Sequence, residues 1–99
     1  MARIEFAPEV LDDFDRILSH LTEFEVDDPA KRISEVIEAF QVLTHSPLIG
    51  RPVKGGKREL VIGRDVRGYL ALYRFIADVD TVFVLAIRSQ RERRYRAAP

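Results

Sequence analysis

Five arginines and one tyrosine lie close together near the C-terminus, in the segment RSQRERRYR at residues 88–96. The arginines are Arg88, Arg91, Arg93, Arg94 and Arg96, the tyrosine is Tyr95, and Glu92 is the only acidic residue among them. Guanidinium groups are planar donors that suit phosphates and carboxylates and that stack on aromatic rings. The segment therefore predicts binding to nucleic acid or to an acidic protein surface. The alternative is a solvated chain end that binds nothing.

The formal net charge of zero conceals an uneven distribution of charge along the chain. Residues 1–50 carry four basic and eleven acidic groups, whereas residues 51–99 carry twelve basic and five acidic groups. Such an asymmetry is typical of a chain whose basic half meets an acidic partner. It is equally compatible with a fold in which the two halves pack together and neutralise each other.

Composition limits the classes of protein to which the chain can belong. Its 99 residues, 46% hydrophobic and 32% charged, predict one globular domain over residues 1–99. There is no cysteine, and His20 and His45 lie far apart, so we expect neither a metal site nor a cofactor. No apolar stretch approaches the ~20 residues that span a bilayer. Because no signal peptide follows Met1 either, we expect a cytoplasmic protein that does not bind membranes.

Two amphipathic helices are predicted after a short strand at 2–7. The first has its apolar positions at Val10, Leu11, Phe14, Ile17, Leu18 and Leu21, with Asp12, Asp13, Asp15 and Arg16 outside this stripe. The second begins at Asp28-Pro29, which suit an N-cap and the first helical position, and it stops at Ser46-Pro47. An acidic loop at 23–29 joins the two helices into a hairpin.

Three further strands are predicted at 58–62, 69–77 and 81–87, because these segments are rich in β-branched and aromatic residues. Residues 47–57 contain two prolines and three glycines and are predicted to be a loop, and 63–68 and 78–80 are predicted turns. Short connections require the three strands to pair antiparallel as a meander. The expected fold is α+β, in the order β-α-α-β-β-β, with the helical hairpin packed on one face of an antiparallel sheet.

The order and spacing of four phrases resemble the RelE/ParE superfamily of bacterial toxins: GRPV (50–53), RELVI (58–62), GYLALYRF (68–75) and VFVLAIRSQRE (82–92). The resemblance covers nearly the whole chain. It is closer to the ParE side, in GRPV with RELVI and in the Gln90-Arg91-Glu92 that follows the last strand. It implies the toxin of a type II toxin–antitoxin module, associated with plasmid stabilisation, which inhibits growth by poisoning DNA gyrase. It also implies a cognate antitoxin that neutralises the toxin in a hetero-oligomer.

The resemblance leaves two alternatives open. A RelE-like toxin would cleave mRNA on the ribosome, and the residues available for this chemistry are Arg58, Arg74, Arg88 and Tyr95. RNA cleavage needs an acceptor for the 2′-hydroxyl proton, which arginine is not, so Glu59 is the alternative base. Leu70 also stands where RelE-type toxins have an arginine after the Gly-Tyr pair, which argues against an enzyme. The other alternative is a non-toxic relative that still binds an antitoxin.

These considerations give one set of candidate residues for binding a target, whether gyrase or ribosome-bound mRNA. The set consists of Arg58, Arg74, Arg88, Arg91, Arg93, Arg94 and Tyr95.

Overall fold

A computed structural model describes residues 1–23, 28–63 and 68–96, and it confirms the predicted α+β class. Its elements are β1 (Arg3–Phe6), α1 (Pro8–Glu23), α2 (Pro29–Ala39), α3 (Val42–His45), β2 (Arg51–Val53), β3 (Lys57–Ile62), β4 (Tyr69–Ile76), a 3₁₀ turn (Ala77–Val79) and β5 (Thr81–Ser89). The segment 47–57, expected to be a loop, contains the additional strand β2. Most of the predicted acidic loop and of the 63–68 turn lies outside the described residues.

The five strands form one sheet in the order β1-β5-β4-β3-β2. The predicted meander of β3, β4 and β5 is confirmed, since these strands pair antiparallel. The sheet is nevertheless mixed rather than wholly antiparallel, because β1 pairs parallel with β5, with Ile4 opposite Val82. The alternation of side chains identified β1 as a strand, but it contains no information about the edge at which β1 joins the sheet.

Helix α1 packs against β5 through a face that differs from the predicted stripe. Val10, Asp13, Ile17 and Leu21 are buried, at the spacing i, i+3, i+7 and i+11. Leu11 is 64% exposed, although it was predicted to face the core. Asp13 was predicted to face solvent and is 1% exposed, so the packed face of α1 is rotated towards it. The hydrogen bonds that make this burial favourable are described with the site below.

Helix α2 begins as predicted, because the Asp28 carboxylate accepts a hydrogen bond from the backbone N–H of Lys31 at 3.1 Å. The sequence predicts one apolar stripe for the second helix, at Ile33, Val36, Ile37, Phe40 and Leu43. In the structure this stripe is divided, because α2 ends at Ala39 and α3 begins at Val42. The core between these helices and the sheet contains side chains exposed by 1% or less, among them Phe40, Leu43, Tyr73, Val84 and Ile87.

The hydroxyl of Tyr73 explains the glycine of the GRPV phrase. This hydroxyl accepts a hydrogen bond from the backbone N–H of Gly50 at 2.8 Å inside the protein. A Cβ atom at position 50 would lie 2.6 Å from the same oxygen, closer than any ordinary contact. Glycine is therefore required here for space, because the backbone must approach the tyrosine.

The opposite face of the sheet carries a smaller apolar layer. Leu72 lies opposite Ala86 in the register, one position out of phase with the core residues Ala71 and Tyr73, so its side chain points away from the helices. Leu72 is 5% exposed and Ala86 is fully buried. This second face is therefore covered along part of its length. Among the described residues, no helix is long and apolar enough to cross a membrane.

Candidate functional site

The chain reverses direction directly after β5. The backbone N–H of Glu92 donates to the carbonyl of Ser89 at 3.0 Å, and that of Gln90 donates to the carbonyl of Gly68 at 3.0 Å. Residues 90–96, called here the C-terminal segment, consequently fold back over the sheet. The hydroxyl of Tyr95 reaches the carboxylate of Glu59 on β3, which is separated from β5 by β4.

Tyr95 takes part in a group of four side chains, Arg51, Glu59, Arg88 and Tyr95, which we call the Glu59 cluster. The Tyr95 hydroxyl donates to one oxygen of Glu59 at 2.5 Å, and Arg51 Nε donates to the other at 2.8 Å. The guanidinium of Arg88 lies 5.2 Å from the centroid of the Tyr95 ring, within the range of a cation–π contact. Glu59 is 7% exposed, and both of its carboxylate oxygens accept hydrogen bonds from protein groups.

The electrostatics of the cluster fix the protonation states of its members. Burial opposes ionisation of Glu59, but hydrogen bonds from Tyr95 and Arg51, together with the charges of Arg51 and Arg88, outweigh it and lower the pKa of this carboxyl. Burial, followed by the hydrogen bond to Glu59, raises the pKa of the Tyr95 phenol above its ordinary value. Glu59 is therefore a carboxylate and Tyr95 a neutral donor, and neither is poised to accept a proton.

A second group fastens the other side of the C-terminal segment to α1. The guanidinium of Arg16 donates to Glu92 through Nε at 2.9 Å and through Nη2 at 3.1 Å, and to Asp13 through Nη1 at 2.6 Å. Glu92 also accepts from the backbone N–H of Ser89 at 2.9 Å. Asp13, Arg16 and Glu92 are called here the anchor. Hydrogen bonds and ion pairs to Glu92 and Asp13 outweigh the effect of burial and raise the pKa of Arg16, which stays charged.

The anchor also explains why α1 buries an aspartate. Strand β1 ends at Phe6, opposite Val84, and none of the described strands continues along this edge of β5 beyond that point. Asp13 accepts the backbone N–H of Ile87 at 2.9 Å, and Arg16 donates to the Ile87 carbonyl at 3.2 Å. The two side chains thus satisfy backbone groups that a further strand would otherwise pair.

The structure separates the four residues named for a nuclease. It brings Arg88 and Tyr95 together, as described above. Arg58 instead donates to the carbonyls of Leu48 at 3.0 Å and Gly50 at 2.8 Å. Arg74 donates to the carbonyl of Gly55 at 2.9 Å. Arg58 also lies opposite the core residue Tyr73 in the register, on the face away from Glu59. The four side chains do not converge on one point.

Three of the predicted target-binding residues form an exposed cationic surface. Arg91, Arg93 and Arg94 are all exposed, and we call them the arginine rim. Within the part of the chain that is described, no carboxylate lies within ion-pair distance of their guanidinium groups. Arg88, by contrast, is partly buried, and no hydrogen-bond partner for its buried Nε is found in the described residues. Arg88 therefore belongs to the floor of the site rather than to its surface.

The sequence did not predict that Arg51 belongs to the site, and it did not predict the anchor. Arg51 was predicted to lie in a loop. In the structure, Lys54-Gly55-Gly56 connects strands β2 and β3 as a hairpin, which sets Arg51 opposite Glu59. A glycine-containing connection of three residues is a hairpin signal. Asp13 and Arg16 lie three residues apart on a helix, which is also a readable pairing distance. No metal-binding group of three or more acidic or histidine side chains occurs in residues 1–23, 28–63 and 68–96.

Solved structures with a similar fold include chains of toxin–antitoxin systems. A chain of the chromosomal ParDE system from P. aeruginosa aligns with a TM-score of 0.73 at 20% identity, covering 90% of this chain and 96% of that one. A chain of the RelBE2 complex from Mycobacterium tuberculosis aligns with a TM-score of 0.66 at 22% identity, covering 90% and 98%. A chain of the intact E. coli RelBE complex aligns with a TM-score of 0.63 at 17% identity, covering 93% and 100%. This chain thus shares its fold with chains of ParDE and RelBE systems.

Comparison of the sequence with known protein families identifies the family of this chain. Residues 4–94 match the family described as the ParE toxin of the type II toxin-antitoxin system, parDE. The chain belongs to this family of toxins, which confirms the resemblance inferred from the four phrases. No curated protein matches the chain significantly in sequence.

Proposed function

We propose that this toxin inhibits growth by binding and poisoning DNA gyrase, and that a cognate antitoxin neutralises it. The observation that carries the proposal is the match to the ParE family over residues 4–94. Toxins of the ParE type, which the sequence resembles, act on gyrase. The arginine rim is the part of the site offered as the contact surface, because its guanidinium groups face solvent.

The geometry of the Glu59 cluster supports binding over catalysis. An RNA-cleaving site requires a group that can accept the proton of a 2′-hydroxyl. Glu59 is the carboxylate that accepts the hydrogen bond from Tyr95, but both its oxygens already accept hydrogen bonds and its pKa is lowered. A carboxylate held in this way is a weak base. The cluster is better suited to holding the C-terminal segment in place than to transferring protons.

The antitoxin belongs to the proposal because of the structural neighbours. The ParDE and RelBE structures that share the fold are toxin–antitoxin systems or complexes. We accordingly assign this chain a cognate antitoxin as its partner in a hetero-oligomer.

Two parallel assays with the purified protein test the choice of target. In the first, gyrase supercoils relaxed plasmid DNA while the toxin concentration is raised, and trapped cleavage complexes are scored. In the second, the same protein is added to a translating extract and the transcripts are mapped for cuts. The proposal predicts inhibited supercoiling with intact transcripts. Normal supercoiling together with cut transcripts would establish a RelE-like nuclease, and loss of the cuts in Arg88→Ala and Tyr95→Phe would place its site in the cluster.

Growth of a bacterial host on induced expression provides the remaining control. The proposal is supported if induced expression arrests growth and co-expressed antitoxin restores it. Normal growth with soluble protein present would identify a non-toxic relative.

A further inference from the structure

A pocket of about 210 Å³ lies between α1 and the C-terminal segment, on the side away from the Glu59 cluster. Ile17 and His20 contribute to it from α1, and Ser89, Arg91, Glu92 and Arg96 line its other wall. The pocket is smaller than the ~300–1,000 Å³ pockets that hold drug-sized ligands. Its size therefore suits a single small chemical group.

The charged groups of the pocket favour an anion. Arg16, Arg91 and Arg96 carry three positive charges against the carboxylates of Asp13 and Glu92, which leaves a formal surplus of one positive charge before any charge on His20. The carboxylate of Glu92 is already bonded to Arg16 and to the Ser89 N–H, so its repulsion of an incoming anion is reduced. Arg16 is likewise committed to the anchor.

Arg91 and Arg96 are the guanidinium groups of the lining that remain to meet a ligand. Arg91 is exposed, and no acidic partner for its guanidinium is found among the described residues. Arg96 is exposed and lies 3.9 Å from Glu92, at the outer limit of an ion pair. Two guanidinium forks on one short segment can each give paired hydrogen bonds to a carboxylate or a phosphate. Ile17, which is 5% exposed, provides an apolar wall for the carbon atoms that carry such a group.

We infer that this pocket is a binding site for one small oxyanion, held by Arg91 and Arg96 beside His20 and Ser89. The oxyanion is either free phosphate or the carboxylate of an acidic side chain. The site lies apart from the Glu59 cluster and shares Arg91 with the arginine rim.

The test is a titration of the purified full chain with inorganic phosphate and, separately, with glutarate, followed by the amide signals of His20 and Ser89 in NMR spectra. Ionic strength is held at about 150 mM, where charges farther apart than about 8 Å are largely screened. We expect saturable shifts of both signals. Tighter binding of phosphate would identify the free ion as the ligand class, and tighter binding of glutarate would identify an acidic side chain. The solution contains neither gyrase nor antitoxin, so the result is independent of the proposed target.

Two double variants that remove the same charge separate a pocket from general attraction. Arg91→Gln with Arg96→Gln removes both proposed ligands. Arg93→Gln with Arg94→Gln removes two arginines of the same segment that do not line the pocket. We expect affinity to fall about tenfold or more in the first variant, as loss of charge-assisted hydrogen bonds predicts, and less than about threefold in the second. All four side chains are exposed, so both variants should fold. Shifts that do not saturate, or equal losses in the two variants, would overturn the inference.

Discussion

Replacing Arg16 by methionine would break the anchor while keeping an apolar stem of similar length. The substitution removes the donors that hold Glu92 at 2.9 and 3.1 Å and Asp13 at 2.6 Å. It leaves the carboxylate of Asp13, which is 1% exposed, without a countercharge. Breaking a buried ion pair from one side costs about 3–5 kcal/mol. The side chain of Arg16 is itself 23% exposed, so we expect a loss of about 2–4 kcal/mol in the free energy of unfolding.

Urea denaturation measures this loss, and thermal unfolding gives an independent reading. For a domain of this size each kcal/mol lowers Tm by about 4–8 °C, so a decrease of roughly 8–30 °C is expected. Hydrogen exchange should also accelerate in residues 90–96, because Glu92 no longer fastens the C-terminal segment to α1.

The matched control is Arg3→Met. Arg3 pairs with Glu5 at 2.9 Å, the distance that separates Arg16 Nε from Glu92, but its side chain is 76% exposed. An exposed ion pair contributes less than about 1 kcal/mol. If Arg16→Met and Arg3→Met lower the free energy of unfolding equally, the anchor does not stabilise the protein and the reasoning is wrong.

Three other substitutions test the site and its support. Gly50→Ala should lower the free energy of unfolding by about 2–4 kcal/mol, because its methyl group would lie 2.6 Å from the Tyr73 oxygen. Gly56→Ala should cost less, about 1 kcal/mol, because no atom lies within 4 Å there and only the φ of +73° disfavours a side chain. Glu59→Gln should lower the free energy of unfolding above pH 4.5, the ordinary pKa of glutamate. The difference in this free energy between the variant and the unmodified chain, measured by urea titration, should vanish as pH falls through the lowered folded-state pKa of Glu59. Tyr95→Phe should lower the free energy of unfolding, measured by thermal unfolding, by about 1–2 kcal/mol. Tyr95→Ala should lower it more, because phenylalanine keeps the ring beside Arg88 and alanine does not. Equal losses in the two variants would exclude a contribution from the ring.

The sequence was sufficient for the elements whose signals are local. Asp28 caps α2 as predicted, and the strands at β3, β4 and β5 lie within two residues of their predicted bounds. Strand β2 was missed because it has only three residues and contains Pro52, which the pattern assigned to a loop.

The site depended on contacts that local patterns do not encode. Asp13 is buried because β1 ends before Ile87 and leaves a backbone N–H without a strand partner, and this length follows from the assembled sheet. Tyr95 and Glu59 are 36 residues apart and meet only because the chain reverses after Ser89. The group of arginines near the C-terminus was therefore visible in the sequence. Its division into the partly buried Arg88 and the exposed arginine rim could not be predicted from the sequence.

The most direct test of the account is the inhibition of gyrase supercoiling by a variant that lacks the arginine rim. Arg91, Arg93 and Arg94 are changed to serine in one protein, and Arg3, Lys31 and Lys54, which are exposed elsewhere, are changed to serine in a control with the same net charge. The account predicts that the rim variant needs at least about tenfold more protein for half-inhibition, while the control stays within about threefold of the unmodified chain. A rim variant as potent as the unmodified chain would contradict the claim that these guanidinium groups bind the target.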